Sequence, residues 1–360
     1  KFRSLWLQKA KWLFAPFLIL ECVEKAITVP FEEGLKFERE SFNRCLDSSQ
    51  RKGLIHAFFA ERRCRKISEI QNVGSTKLEV LGVIGGGTMG VGITVAALDA
   101  GLDVIMIERD EISLDKGQTL VEMVYDRHIS KGRMGPEEKQ NILCRYHPAT
   151  DFNKISSADM VIEAVFEDMD LKKQIFKKLD ELVGTETVLA SNTSYLDIDE
   201  IASATSRPEN VLGMHFFSPA NIMKLLEIVV PSRLSEVAFA TGFTLANRMG
   251  KVPVRSGNTE GFIGNRILGA YAKVAGYMME DGASPYLIDE VVRDFGYPIG
   301  PFQMFDLAGG DIGWANRKRK ATTRNPEERY VNIADRLCEK GWFGQKTGRG
   351  FYLYESGSRT

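Results

Sequence analysis

Cysteine is sparse in this 360-residue sequence: Cys22, Cys45, Cys64, Cys144 and Cys338 are odd in number and far apart. That argues against a disulfide framework and fits a reducing compartment. No CxxC pair and no His/Cys cluster at ligand spacing occurs, so no metal site is expected. Neither sign of charge dominates: 47 Lys and Arg stand against 48 Asp and Glu, a formal net charge of -1. Such a balance gives no global electrostatic reason to bind nucleic acid or an anionic membrane. No apolar run approaches the ~20 residues of a membrane span; the best, Trp12 to Leu20, is short and contains Pro16. Internal repeats and low-complexity tracts are absent. The chain opens on Lys1, not Met, and no small-residue cleavage site follows the apolar run. It reads as a piece of a longer polypeptide, not as one carrying a leader.

With 44% hydrophobic and 26% charged residues, the composition is that of a globular protein, and the length implies two or more domains. Residues 1–76 read as a helical segment ending in the polar linker Gln71 to Lys77, with the amphipathic stretch Gly53 to Lys66 inside it. From Leu78 short apolar runs alternate with helix-like stretches. Leu81 to Gly85, Val104 to Glu108, Met160 to Val165 and Val188 to Ala190 are β-type; Ile112 to Lys131 and Asp168 to Val183 are helical. Val211 to Phe217, Leu225 to Val230 and Val252 to Val254 extend the sheet. After Gly257 strand signals fade, and Gly261 to Met279, Tyr286 to Phe295 and Val331 to Lys340 read as helices. The expected fold is α/β: a Rossmann-type, doubly wound, mostly parallel sheet over residues 77–257, preceded by the helical segment and followed by an α-helical domain over 258–360. Arg317 to Lys320 (RKRK) is expected on a solvated face or loop.

One local signal is specific. In VLGVIGGGTMGVGI an apolar strand runs into Gly85-x-Gly87-x-x-Gly90, with Thr88 and Met89 inside the turn and a helix-compatible stretch after it. One glycine makes the tight turn, one lets backbone approach a pyrophosphate, and one lets helix pack on strand. A second apolar run ends in Glu108, an acid placed to accept ribose hydroxyls and repel a 2′-phosphate. The expected cofactor is therefore NAD, although Arg109 follows immediately.

Such a domain fixes the cofactor, not the substrate. Polar residues at later strands must carry the chemistry. Ser191-Asn192-Thr193-Ser194 follows an apolar run, His215 sits inside Gly213-Met214-His215-Phe216-Phe217, and Glu227 sits inside Leu225-Leu226-Glu227-Ile228. A carboxylate between Leu and Ile needs a partner if buried, and His215 is the natural one. A Glu-oriented imidazole is the group that takes a proton from an alcohol while hydride leaves its carbon. Taken alone, His215 also fits a satisfied core residue, and Ser194 a turn or N-cap residue, with Asp197 competing for that cap.

The ordered motifs IGGGTMGVGI, VIEAVFED, ASNTS, HFFSP, LLEIV, GFIGNR, GPFQMFDLAG and FGQKTGRGFY resemble the L-3-hydroxyacyl-CoA dehydrogenases of fatty-acid β-oxidation, over about Lys77 to Tyr354. The resemblance implies His215 as base, Glu227 as its orienting carboxylate, and Ser194 and Asn265 as the pair holding the substrate oxygen. It implies Glu167, Lys172, Asn192 and Lys346 beside the cofactor and Lys131 near the CoA moiety. Ser218 stands where single-function members carry Asn, which fits multifunctional members. Glu33 to Arg63 resembles the closing helices of an enoyl-CoA hydratase (crotonase) domain, an order found in multifunctional β-oxidation enzymes of the peroxisomal bifunctional type. The implied substrate is an acyl-CoA and the implied compartment peroxisomal; a mitochondrial or bacterial cytosolic member would read alike, and the final Ser-Arg-Thr is no peroxisomal address. A homodimer, or packing against further domains of a parent enzyme, is implied for the helical domain, with an apolar patch exposed on Gly261 to Met279. Two competing readings are a dehydrogenase of free 3-hydroxy acids and a non-catalytic NAD-binding structural protein.

Overall fold

A computed structural model describes residues 13–355; the helical reading of the first twelve residues and the reading of the final Ser-Arg-Thr lie outside the described residues. The chain divides into two compact units, Phe42–Ile263 and the described residues up to Ser41 together with those from Gly264.

The first unit is built on an eight-stranded sheet: β1 Val80–Ile84, β2 Asp103–Ile107, β3 Tyr146–Ala149, β4 Met160–Glu163, β5 Val188–Ser191, β6 Val211–Phe216, β7 Leu225–Val230 and β8 Val252–Gly257. The order is β3-β2-β1-β4-β5-β6-β7-β8. All neighbours are parallel except β6 and β7, which run antiparallel. The central strands β4, β5 and β6 are buried throughout, the continuous apolar signature of a sheet covered on both faces. Helices Thr88–Asp99, Glu111–Ser130 and Glu236–Arg248 lie on the face of one core, which includes Val83, Ile93, Leu98, Met214 and Phe243; the helix Met169–Leu182 packs in the other, with Ile84, Phe176, Leu179 and Val229. Strand order reverses beside β1, so a crevice opens between the carboxyl ends of β1 and β4, where ligands of doubly wound sheets bind.

Three elements here lack a sequence signal. Edge strand β3 is only half-buried and contains Pro148, which hides its alternation. The short helix Pro136–Leu143 buries no residue at all. Helix Glu236–Arg248 buries Ala238 through Phe243 without a break, so it has no amphipathic period to read.

The second unit contains helices Ala15–Thr28, Gly264–Glu280, Pro285–Phe295, Pro301–Ala308, Gly310–Lys320 and Ile333–Glu339. Two buried carboxylates tie its C-terminal part together. Asp289 accepts the N–H groups of Phe302 and Gln303 and the Tyr352 hydroxyl. Asp306 accepts the N–H groups of Phe351 and Tyr352 and the Tyr354 hydroxyl. Burial pushes the Asp306 carboxyl above its usual range, against those donors. Arg317 to Lys320 form the last turn of a helix, where positive charge suits the dipole. Helix Gly264–Glu280 exposes Ile267, Leu268, Val274 and Met278. Among the described residues no helix is long and apolar enough to cross a membrane.

Candidate active site

The glycine turn sits at the carboxyl end of β1. Gly85 has φ 101° and donates its N–H to Ile107 O at 2.8 Å; a side chain there would be strained. A Cβ on Gly90 would stand 1.8 Å from Gly85 O, whereas one on Gly87 would meet nothing within 4 Å. Gly90 therefore packs the helix on the turn, and Gly87 keeps the approach open. Helix Thr88–Asp99 has no side-chain cap and no acid in its first turn. Its first N–H groups have no intrahelical acceptor, so the positive dipole end is left for an anion. Glu108, past the end of β2, accepts Gly86 N–H at 2.6 Å and Arg109 N–H at 3.0 Å. Each carboxylate oxygen retains lone-pair capacity for a hydroxyl. Arg109 turns to Asp110 at 2.9 Å. These residues fit a dinucleotide: Gly85, Gly87, Thr88, Met89 and Gly90 for the pyrophosphate, Glu108 for the ribose.

His215 and Glu227 face each other across the antiparallel β6/β7 pair. His215 Nδ1 lies 2.7 Å from Glu227 Oε2, and both side chains are buried. A carboxylate only accepts, so Nδ1 donates and the ring is held in one tautomer. Phe217 and Phe262 pack beside the imidazole, ring centroids 4.6 and 5.5 Å away.

The segment 192–195 follows β5 on the same edge of the sheet. Asn192 accepts Phe216 N–H at 2.9 Å, joining the segment to the strand of His215. Glu167 Oε1 gathers three donors: Thr193 Oγ1 at 2.6 Å, Ser194 N at 2.9 Å and Tyr195 N at 3.1 Å. Lys172 lies beneath, buried, with Nζ 2.6 Å from Glu163 Oε1 and 3.5 Å from Glu167 Oε2. Glu163 also accepts Val165 N–H and Ser191 Oγ–H, each at 2.7 Å. Lys172 thus bridges two carboxylates inside the protein, and the loop carrying Ser194 is built on that charged scaffold. Sequence reasoning missed Glu163 entirely.

Lys131 caps the end of helix Glu111–Ser130 and is exposed. Asn265 and Lys346 belong to the second unit. Asn265 is half-buried in the first turn of helix Gly264–Glu280, and Lys346 forms an ion pair with Asp311. No group of His, Cys, Asp or Glu among the described residues could hold a metal ion.

The family described as 3-hydroxyacyl-CoA dehydrogenase, NAD binding domain, matches residues 80–259, and its partner, 3-hydroxyacyl-CoA dehydrogenase, C-terminal domain, matches residues 261–354. Peroxisomal bifunctional enzyme of Danio rerio is 41% identical over 97% of this chain and 50% of that protein. The Homo sapiens protein of that name is 38% identical over 93% of this chain and 48% of its own length. The chain therefore spans about half the length of these relatives. The crystal structure of (S)-3-hydroxybutyryl-CoA dehydrogenase from Ralstonia eutropha superposes with a TM-score of 0.73 at 34% identity, covering 78% of this chain and 100% of that one. This chain belongs to the 3-hydroxyacyl-CoA dehydrogenase family.

Proposed function

We propose that the chain oxidises the 3-hydroxyl of an L-3-hydroxyacyl-CoA to the 3-ketone with NAD, as the dehydrogenase portion of a larger β-oxidation enzyme. The observation that carries this reading is the buried 2.7 Å pairing of His215 Nδ1 with Glu227 at the carboxyl edge of a dinucleotide-binding sheet. With Nδ1 committed, Nε2 is the nitrogen that removes the hydroxyl proton; in the reverse direction it returns it. Glu227 keeps the ring aimed and offsets the charge of the imidazolium. Ser194 and Asn265 are assigned to the substrate oxygen, fixing C3 for transfer. NAD, when bound, supplies the hydride acceptor. Glu167 and Lys172 act on the cofactor side through the segment that carries Ser194, and Lys131 is assigned to the CoA portion. The names of the relatives support a peroxisomal setting.

The test is substrate choice. L-3-hydroxybutyryl-CoA should support NAD reduction at a kcat/KM at least ~100-fold above that for free 3-hydroxybutyrate, since remote binding energy is lost with the CoA moiety. Equal rates on the two would replace this reading with that of a free-acid dehydrogenase. No turnover of either would favour a non-catalytic NAD-binding protein.

A further inference from the structure

Both carboxylate oxygens of Glu227 are engaged. Oε2 meets His215 Nδ1 at 2.7 Å, and Oε1 accepts the backbone N–H of Ile263 at 3.0 Å. That N–H belongs to a tight turn, in which Phe262 N–H donates to Thr259 O at 2.8 Å. Gly261 and Phe262 both sit in the left-handed region, at φ 75° and 49°. Among the described residues Phe262 is the only non-glycine with positive φ. A bulky side chain there is strained and persists only where its surroundings over-determine it.

The surroundings are visible. Phe262 is 2% exposed and packs in the apolar cluster with Ile198 and Val229. Its ring lies 5.5 Å from the His215 imidazole at an interplanar angle of 55°. One side chain therefore does two things: it anchors the turn that aims the Ile263 N–H at Glu227, and it covers one side of the imidazole. Without the anchor the turn relaxes, the N–H leaves Oε1, and the carboxylate loses one of the contacts that fix its plane. The imidazole then has a less firmly held acceptor and loses the part of its packing that Phe262 supplies.

We propose that Phe262 is a positioning residue for the His215–Glu227 pair, acting through the strained turn and the Ile263 N–H. This rests on the reading of His215 as the base. A side-chain substitution cannot delete the Ile263 amide, so the anchor is what must be changed. The readout is kcat for L-3-hydroxybutyryl-CoA oxidation per NADH-binding site, which discounts any unfolded fraction.

Phe262→Ala should lower that kcat about 10–100-fold, the range expected for a displaced catalytic group, while KM for the acyl-CoA and the NADH Kd change less than about threefold. The primary isotope effect on kcat with substrate deuterated at C3 should rise, because the chemical step becomes limiting. Phe262→Leu retains buried bulk, recovers part of the loss, and serves alone if the alanine variant fails to fold; its kcat per site should still fall about threefold or more. A folded Phe262→Ala protein, or failing that a folded Phe262→Leu protein, with kcat per site within about twofold of the parent would overturn the proposal. So would a loss seen only as fewer NADH-binding sites. If His215→Gln itself retained activity, the reading of the base would fall instead, and the two failures are distinguishable.

Discussion

Glu163 and Lys172 offer a sharp energetic test, because both side chains are essentially inaccessible, at 0% and 1% exposure, and lie 2.6 Å apart. Breaking a buried pair by removing one partner costs about 3–5 kcal/mol, because a charge is left behind without compensation. In Glu163→Gln the ammonium keeps Glu167, at 3.5 Å, so the lower end, about 3 kcal/mol, is the better expectation. At about 2–4 °C per kcal/mol for a unit of this size, Tm should fall by about 6–12 °C. The amide also presents a donor where Glu163 now accepts Lys172 Nζ, Val165 N–H and Ser191 Oγ–H, which gives no reason for a smaller effect. The assay is thermal unfolding of the parent, Glu163→Gln, Lys172→Met and the double variant. The double variant should melt above the sum of the single losses, since it leaves no ammonium stranded. A Glu163→Gln protein melting within about 1 °C of the parent, or strictly additive losses, would refute the buried-pair argument.

Further outcomes follow from the same geometry. Gly90→Ala places a Cβ 1.8 Å from Gly85 O, so the turn must move; NADH affinity measured by fluorescence should drop about tenfold or more, and an unchanged Kd would remove Gly90 from the cofactor turn. Asp180 is partly buried, which would raise its pKa, but the Ser206 N–H and the Arg207 guanidinium win and hold it below the usual carboxylate range. A depressed carboxyl stabilises the fold above its unfolded value and loses that contribution as pH falls through the folded one. Asp180→Asn should therefore cost about 1–2 kcal/mol at pH 7, and the gap in urea midpoints should narrow below about pH 4; a pH-independent gap would contradict the assignment.

The parts of the fold that were legible in sequence are those where local chemistry and burial point the same way. The turn after β1 needs glycine for space and conformation, and the sequence supplies it at Gly85 and Gly90. His215 and Glu227 each interrupt an apolar run, and cross-strand register then brings them face to face. Glu163 also interrupts an apolar run, Met160 to Val165, but its partner Lys172 comes from a helix and not from a facing strand, so no second run pointed to the pair. Lys172 does carry a sequence signal: Lys172, Phe176 and Leu179 are the buried face of one helix, a helical spacing that puts a lysine on the apolar side. Asp289 and Asp306 were hidden for a related reason, since their donors come from backbone N–H groups and tyrosines as far as 63 residues away, and no local pattern encodes them. Phe262 looked like one more apolar residue in a glycine-rich motif; only its φ of 49° marks it as unusual.

We propose that the imidazole held by Glu227 moves the proton in a dehydrogenase reaction. The most direct measurement is acetoacetyl-CoA reduction by NADH with His215→Gln beside the parent. In His215→Gln kcat should fall about 10²–10⁴-fold with NADH binding intact. Turnover close to that of the parent would contradict it.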